Sequence, residues 1–521
     1  MFFNRTFHPD EANQAFTTAH LLETGRYTYR PDDHHGPTLY YAAATIQKAA
    51  GHNTLATMDG TLLRCTPLLF AVLALLFGFL SIRKLMKPVA GVVGWLVPGL
   101  FVLLLGTAPI FAFFATDFIQ ETLLVCFTLM MFWAGVGYLH AHAANGESHN
   151  VKLKPGTWAL FFGTATALAF ATKETCVLTF AAAALAAAPF LVKRLSLAEL
   201  LARMRDFVLA TLGFFIIACI LYSDFGRDFH GVYNAFIAAP LSYLGRAAGS
   251  AASAGAADHV HPWWQYFKWI FSDDYSLLAT FIACGMVAGL FTRFIWLRIR
   301  PAAREKANPT LSRAFLFALA YALLLLLFYS LIPYKTPWCA LQIHVGLLVA
   351  ALLGFAVTQN TPILLVASLV LLWGNGRQLV RMAHDPDSKD IPYNYASASP
   401  DVQQLAATVA DAVKAAVLQP RDPSNDHPFI AVALPPADTW PFPWYNRPYE
   451  HQTGYWTSFD DLKRLAETDI KPTAVIVPME EGHLVQAIFP HLRHTKRFYM
   501  RPGVRNKEGK TRGGVRVRVF W

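Results

Sequence analysis

Four short polar segments interrupt long apolar sequence: HPDE at residues 8–11, ATD at 115–117, TKE at 172–174 and YKTPW at 334–338. Each brings an ionisable group to the border of an apolar run, where charge is costly and usually functional. The side chains divide by chemistry. Asp10, Glu11 and Asp117 are carboxylates able to take a proton from a hydroxyl or to share a divalent metal. Lys173 and Lys335 are cations suited to a phosphate. Trp338 offers a ring, either as an interfacial anchor or as a platform.

Each also has a plainer reading. Helix capping, with Asp10 as N-cap and Glu11 in the first turn, accounts for one carboxylate and leaves the other, and His8, unexplained. The chemical alternative makes Asp10 a general base on a hydroxyl and pairs Glu11 with a cation such as Arg64. Asp117 reads as an N-cap of the following helix or as a second acidic group, with Glu121 one turn further on the same face. Lys173–Glu174 reads as a surface turn or as a lone cation at an interface. His34 and His35 sit in YTYRPDDHHGPTLYY and read as hydrogen-bonded scaffold or as metal ligands; no spacing matches a zinc signature.

The elements that must position these groups are membrane helices. Only 15% of the 521 residues are charged and 55% are hydrophobic, against roughly a quarter charged in soluble domains. Apolar runs cover about 61–82, 89–110, 118–139, 157–171, 175–192, 207–223, 276–297, 314–332, 339–357 and 362–375. Several fall short of the ~20 residues of a full crossing. Taken as ten crossings, they place the basic stretches 83–87, 152–154, 193–205 and 298–313 in alternate loops, which the positive-inside rule assigns to the cytoplasm. All four polar segments then share the outer face. The six cysteines fall inside apolar sequence and read as small hydrophobes. No signal peptide is visible, and no basic–aromatic pattern points to nucleic acid.

Three parts are expected. Residues 1–60 form an outer, peripheral segment with a helix from Asp10 to Leu22 stopped by Gly25 and a second helix ending at Gly51. Residues 61–375 form the transmembrane part, whose loop 224–275 holds a flexible Gly/Ala/Ser stretch and an interfacial aromatic helix in HPWWQYFKW. Residues 376–521 form a small α/β domain. There SPDVQQLAATVADAVKAAV and SFDDLKRLAE read as helices, and FIAVAL, TAVIVP and GGVRVRVF as strands. Between them DTWPFPWYNRPYEHQTGYW is an aromatic, Pro-rich loop suited to stacking sugar rings.

The order HPDEANQAF, HHGPTLYY, LLRCTPLLFAVLALLFG, ATDF, ATKE and YKTPW resembles the GT-C membrane glycosyltransferases, among them the protein O-mannosyltransferases and the lipid A aminoarabinose transferases. The nearest likeness is to a prokaryotic subgroup labelled flippase-activity-associated, whose C-terminal domain WPFPWYNRPYEHQTGYW resembles. The resemblance implies a mostly α, polytopic GT-C fold with a small C-terminal α/β domain. It implies inverting transfer of a sugar from a polyprenyl-phosphate carrier to a glycan, lipid or protein acceptor, at the outer face of a prokaryotic inner membrane. Asp10 then matches the catalytic aspartate, Glu11 its arginine-paired neighbour with Arg64 as the arginine, and Asp117 the second acidic residue. Lys173 matches a carrier-phosphate contact, Lys335 a further one, and His35 and Trp338 complete the substrate-binding set. A divalent metal at Asp10 and Asp117 stays open. The family has a helix before its acidic loop, whereas HPDE begins at residue 8; the resemblance implies a missing first span. The competing class is a transporter or flippase-associated protein that moves lipid-linked sugar without chemistry, against which stands the lack of an internal repeat.

Overall fold

The computed structural model describes residues 2–32, 35–87, 93–144, 153–191, 197–242, 259–271, 276–299, 308–388, 390–395, 397–418, 428–468, 470–501, 504–505, 511–512 and 514–521. His34, most of the Gly/Ala/Ser stretch and part of the basic loops lie outside them. The chain divides into two compact units. One, the α/β unit, comprises Met1–Gly25, Ala44–Leu63 and Asp385–Trp521; the other, the helical unit, comprises Arg26–Ala43 and Arg64–His384.

In the helical unit every expected apolar run falls on a helix. These are α3 (Gly60–Leu85), α4 (Val93–Gly106), α6 (Glu121–Ala144), α7 (Pro155–Phe170), α8 (Cys176–Leu191), α9 (Leu197–Tyr222), α12 (Ser276–Phe291), α13 (Pro309–Leu331), α14 (Ala340–Thr358) and α15 (Thr361–His384). Shorter helices α5 (Pro109–Phe114), α10 (Phe229–Tyr233) and α11 (Gln265–Phe271) lie between them, the last in the expected aromatic segment. Among the described residues seven helices are long and apolar enough to cross a membrane, while Gly94–Gly106 and Cys176–Phe190 are shorter apolar stretches. Helices α9 and α15 outrun their apolar cores because LAELLARMRD and RQLVRMAH continue the helical pattern with polar residues. The core helix is α14. Of its most apolar window 94% is buried, and it packs on α12 and α13.

The α/β unit contains α1 (Pro9–Thr24), which ends where Gly25 takes φ 65° and donates its N–H to the Leu21 carbonyl. Glycine meets no Cβ penalty in that left-handed conformation. Helix α2 (Thr38–Ala49), like α3, has residues in both units. The C-terminal part is a five-stranded sheet of β1 (Ile430–Ala433), β2 (Thr453–Trp456), β3 (Ala474–Pro478), β4 (Thr495–Arg501) and β5 (Val515–Phe520), in the order β2-β1-β3-β5-β4. The first three strands run parallel and β5 is antiparallel to β3 and β4. Helix α16 (Asp401–Leu418) covers one face, setting Val402, Leu405, Val409 and Val413 against Ile430, Val432, Ile476, Val517 and Val519. Helices α17 (Phe459–Ala466) and α18 (Gly482–Ile488) cover β1 and β3 on the other face through Leu462 and Val485. Strands β2 and β4 were not expected. The first is four residues long, and the second alternates Phe498 and Met500 with Arg497 and Tyr499 too briefly to stand out.

Candidate functional site

The acidic loop of the α/β unit is organised by a capping box in which the capping residue is His8. Pro9 fills the first helical position, where a missing N–H is harmless, so the residue before it becomes the cap. His8 Nδ1 accepts from the Asp10 N–H at 3.1 Å, and Glu11 Oε2 accepts from the His8 N–H at 3.0 Å. The expectation of Asp10 as N-cap is therefore corrected. Since His8 Nδ1 accepts, its Nε2 carries the proton and donates to the Tyr395 carbonyl at 3.0 Å. Glu11 is fully buried. Asp10 is different: its side chain is 49% exposed and, among the described residues, its carboxylate approaches the His8 ring alone, at 3.7 Å. The cap uses one carboxylate of the pair and leaves the other facing out.

The C-terminal segments of the same unit hold this loop. The Phe7 N–H donates to the Tyr445 hydroxyl at 2.8 Å, and the Thr6 N–H to Asp387 at 3.2 Å. The Phe7 ring stacks on Trp444 with centroids 4.7 Å apart. Arg447 lies 4.0 Å from the centre of the same indole and donates to the Trp444 and Met58 carbonyls. Trp440 meets Phe16 of α1 edge-on at 5.2 Å. Trp444, 2% exposed, is thus committed to packing. The reading of this aromatic loop as a sugar-stacking surface is corrected at Trp444.

The helical unit carries the other polar segments. Asp117 is 6% exposed and sits in the turn between α5 and α6. Helix α6 starts four residues later at Glu121, so Asp117 neither caps it nor shares a helical face with Glu121. Glu121 instead forms a buried ion pair with Lys173. Lys173, in the turn between α7 and α8, is thus no lone cation. Burial alone would lower its ammonium pKa, but the Glu121 carboxylate outweighs burial and holds it above the ordinary lysine value.

Glu174, the next residue, clamps the histidine turn. Its two oxygens accept from the Tyr29 hydroxyl at 2.5 Å and from His35 Nδ1 at 2.7 Å. Burial pushes the Glu174 carboxyl up, yet His35 beside it and these hydrogen bonds prevail and hold it down at about 2. The Tyr27 hydroxyl donates to the His35 carbonyl, the Thr38 N–H donates to the Ala171 carbonyl, and the Thr38 and Thr172 hydroxyls lie 2.8 Å apart. Gly36 passes so close that a Cβ there would lie 2.3 Å from the Ala171 carbonyl oxygen. HGPT, residues 35–38, and ATKE are two halves of one docked pair of turns.

Lys335 follows α13 in a turn pinned at several points. A β-bridge joins Val260 and Tyr334, and the Lys335 N–H donates to the His259 carbonyl at 2.8 Å. The side chain is 1% exposed, and its Nζ donates to the Ile332 carbonyl. Among the described residues no carboxylate lies within ion-pairing distance of it. Burial accordingly pushes its ammonium pKa down. Trp338 is half-buried in the 3₁₀ turn Pro337–Cys339, and Arg64 is fully buried near the start of α3. Among the described residues no group of three or more His, Cys, Asp or Glu is placed to hold a metal ion. Sequence reasoning missed Tyr27, Tyr29 and the clamping role of Glu174. The Gly in HHGPT was the one available sign of a close approach.

No protein-family model and no curated protein matches the chain. Solved structures do. The chain is similar to ArnT from Cupriavidus metallidurans bound to undecaprenyl phosphate, at 14% identity and TM-score 0.58, over 99% of this chain and 94% of that one. Apo ArnT gives 12% identity and TM-score 0.57 over the same shares. The apo oligosaccharyltransferase of Archaeoglobus fulgidus gives 11% identity and TM-score 0.50, over 93% of this chain and 67% of that one. At such identities the likeness is one of fold. The chain has the GT-C fold, a polytopic helical part with a small C-terminal α/β part.

Proposed function

We propose that this protein transfers a sugar from a polyprenyl-phosphate carrier to a hydroxyl of a glycan, lipid or protein acceptor, at the outer face of a prokaryotic inner membrane. The observation that carries the proposal is Lys335, a buried cation whose described partner is a carbonyl. Burying an ammonium is costly without a counter-charge, and a cation kept so invites an anionic group. A fold shared with a protein crystallised with undecaprenyl phosphate makes a carrier phosphate the natural anion.

In this mechanism Asp10 accepts the proton of the acceptor hydroxyl as its oxygen attacks the anomeric carbon. The bond from that carbon to the phosphate oxygen breaks, the configuration inverts, and polyprenyl phosphate departs with the bonding electrons. Lys335 neutralises the charge that grows on the departing phosphate. Glu11 serves Asp10 by fixing the helix end, and Asp117 supplies a second buried acidic group. Arg64 and Trp338 complete the substrate-binding set, while Lys173 and His35, engaged by Glu121 and Glu174, hold the two docked turns in place.

The test is turnover of the full chain reconstituted in vesicles, supplied with polyprenyl-phosphate-linked hexoses and pentoses and an acceptor extract. Release of free polyprenyl phosphate is expected. Passage of the lipid-linked sugar between leaflets with its glycosidic bond intact would establish the transporter reading instead.

A further inference from the structure

The sheet of the α/β unit has an unusual half-face. Phe520 of β5 packs beneath α17 and α18, so Arg518 and Arg516, two and four residues back, point to the same side. On β4, Phe498 and Met500 pack towards α16, which sends Arg497 and Tyr499 to that side too. The strand register sets Arg497 opposite Arg518 and Tyr499 opposite Arg516. The helices on this face pack over β1 and β3, leaving Arg497, Arg516 and Tyr499 exposed and Arg518 half-buried. Among the described residues none of the three guanidinium groups has an ion-pair partner. Arg518 Nε is buried with no hydrogen-bond partner, and its stem runs past Gly482, where a Cβ would lie 2.9 Å from it.

Edge protection explains part of this. Charged side chains on an edge strand discourage pairing with other chains, and β4 is an edge. It does not explain β5, which lies inside the sheet between β3 and β4. Like charges directly opposite one another destabilise an antiparallel pair. A buried N–H without a partner adds a second cost. Both are retained at one spot, where guanidinium forks suit the paired oxygens of a phosphate. Tyr499, 49% exposed, supplies a ring beside them.

We propose that Arg497, Arg516, Arg518 and Tyr499 form a binding site for a phosphomonoester-bearing saccharide, the guanidinium groups holding the phosphate and the tyrosine ring the sugar. The site stands independently of the transfer reaction. Full-length protein in nanodiscs of neutral phosphatidylcholine is titrated calorimetrically with glucose 6-phosphate and with glucose. Glucose 6-phosphate is expected to bind and glucose not, inorganic phosphate to compete, and Arg516→Gln with Arg518→Gln to weaken binding at least tenfold. Arg497→Gln is expected to weaken binding while raising Tm by about 1–2 °C, because it relieves the opposed pair. Equal affinity of wild type and variants, or a lowered Tm with unchanged binding in Arg497→Gln, overturns the proposal. Capture on phosphatidic acid vesicles without affinity for the soluble sugar phosphate overturns it in favour of a lipid surface.

Discussion

The TKE and YKTPW turns look alike as sequence, each placing one lysine between two apolar helices. In three dimensions they are opposites. Lys173 is neutralised by Glu121, and Glu174 beside it has both oxygens occupied by Tyr29 and His35. Lys335 is also shielded from solvent, and its Nζ donates to the Ile332 carbonyl. A compensated charge at membrane depth reads as architecture, whereas one with no carboxylate partner among the described residues reads as half of an interaction completed by ligand. Changes in the first turn are therefore expected to register in stability, and changes in the second in carrier binding.

The largest effect is expected from Lys173→Gln, which strands a buried carboxylate on Glu121. It should cost about 3–5 kcal/mol of stability, followed by thermal unfolding in detergent. Adding Glu121→Gln should recover most of that loss, and a double variant no more stable than the single one would break the contrast. Next comes acid. Glu174 is held at about 2 against an ordinary 4.5, so its ionised form stabilises the fold. That contribution is complete above about pH 4.5 and is lost as pH falls towards 2, an effect of about 3 kcal/mol. Wild type should therefore lose Tm between pH 5 and pH 3 more steeply than Glu174→Gln; parallel curves would contradict the clamp.

Lys335→Gln should act the other way. Loss of one charge-assisted contact is expected to weaken undecaprenyl phosphate binding about 10- to 100-fold, with Tm unchanged or raised. A Tm fall matching that of Lys173→Gln, with binding intact, would erase the distinction between the turns. The smallest effect belongs to the acidic loop: Tyr445→Phe deprives the Phe7 N–H of its acceptor and should cost about 1 kcal/mol.

Hydropathy made the helices legible, because a membrane span must be apolar over its length, and the polar segments stood out against it. Their partners were not legible. Lys173 and Glu121 are 52 residues apart and Glu174 and His35 139 apart, and no local period connects them. The cap on α1 was readable in part: Pro9 at the first turn and Glu11 three residues after His8 follow the capping-box pattern, but histidine is not among the usual caps. Trp444 was misread because composition shows an aromatic loop without showing that Phe7 and Arg447 already occupy the indole. Strand β4 escaped because its exposed face is arginine and tyrosine.

The transfer reaction itself rests on Asp10, the carboxylate that the capping box leaves exposed. The direct measurement is release of polyprenyl phosphate from a lipid-linked sugar by wild type and Asp10→Asn, reconstituted in the same vesicles at matched amounts. The account predicts that donor binding persists while turnover falls by about 10²–10⁴, the range for loss of a general base. Turnover by Asp10→Asn equal to that of wild type would contradict it.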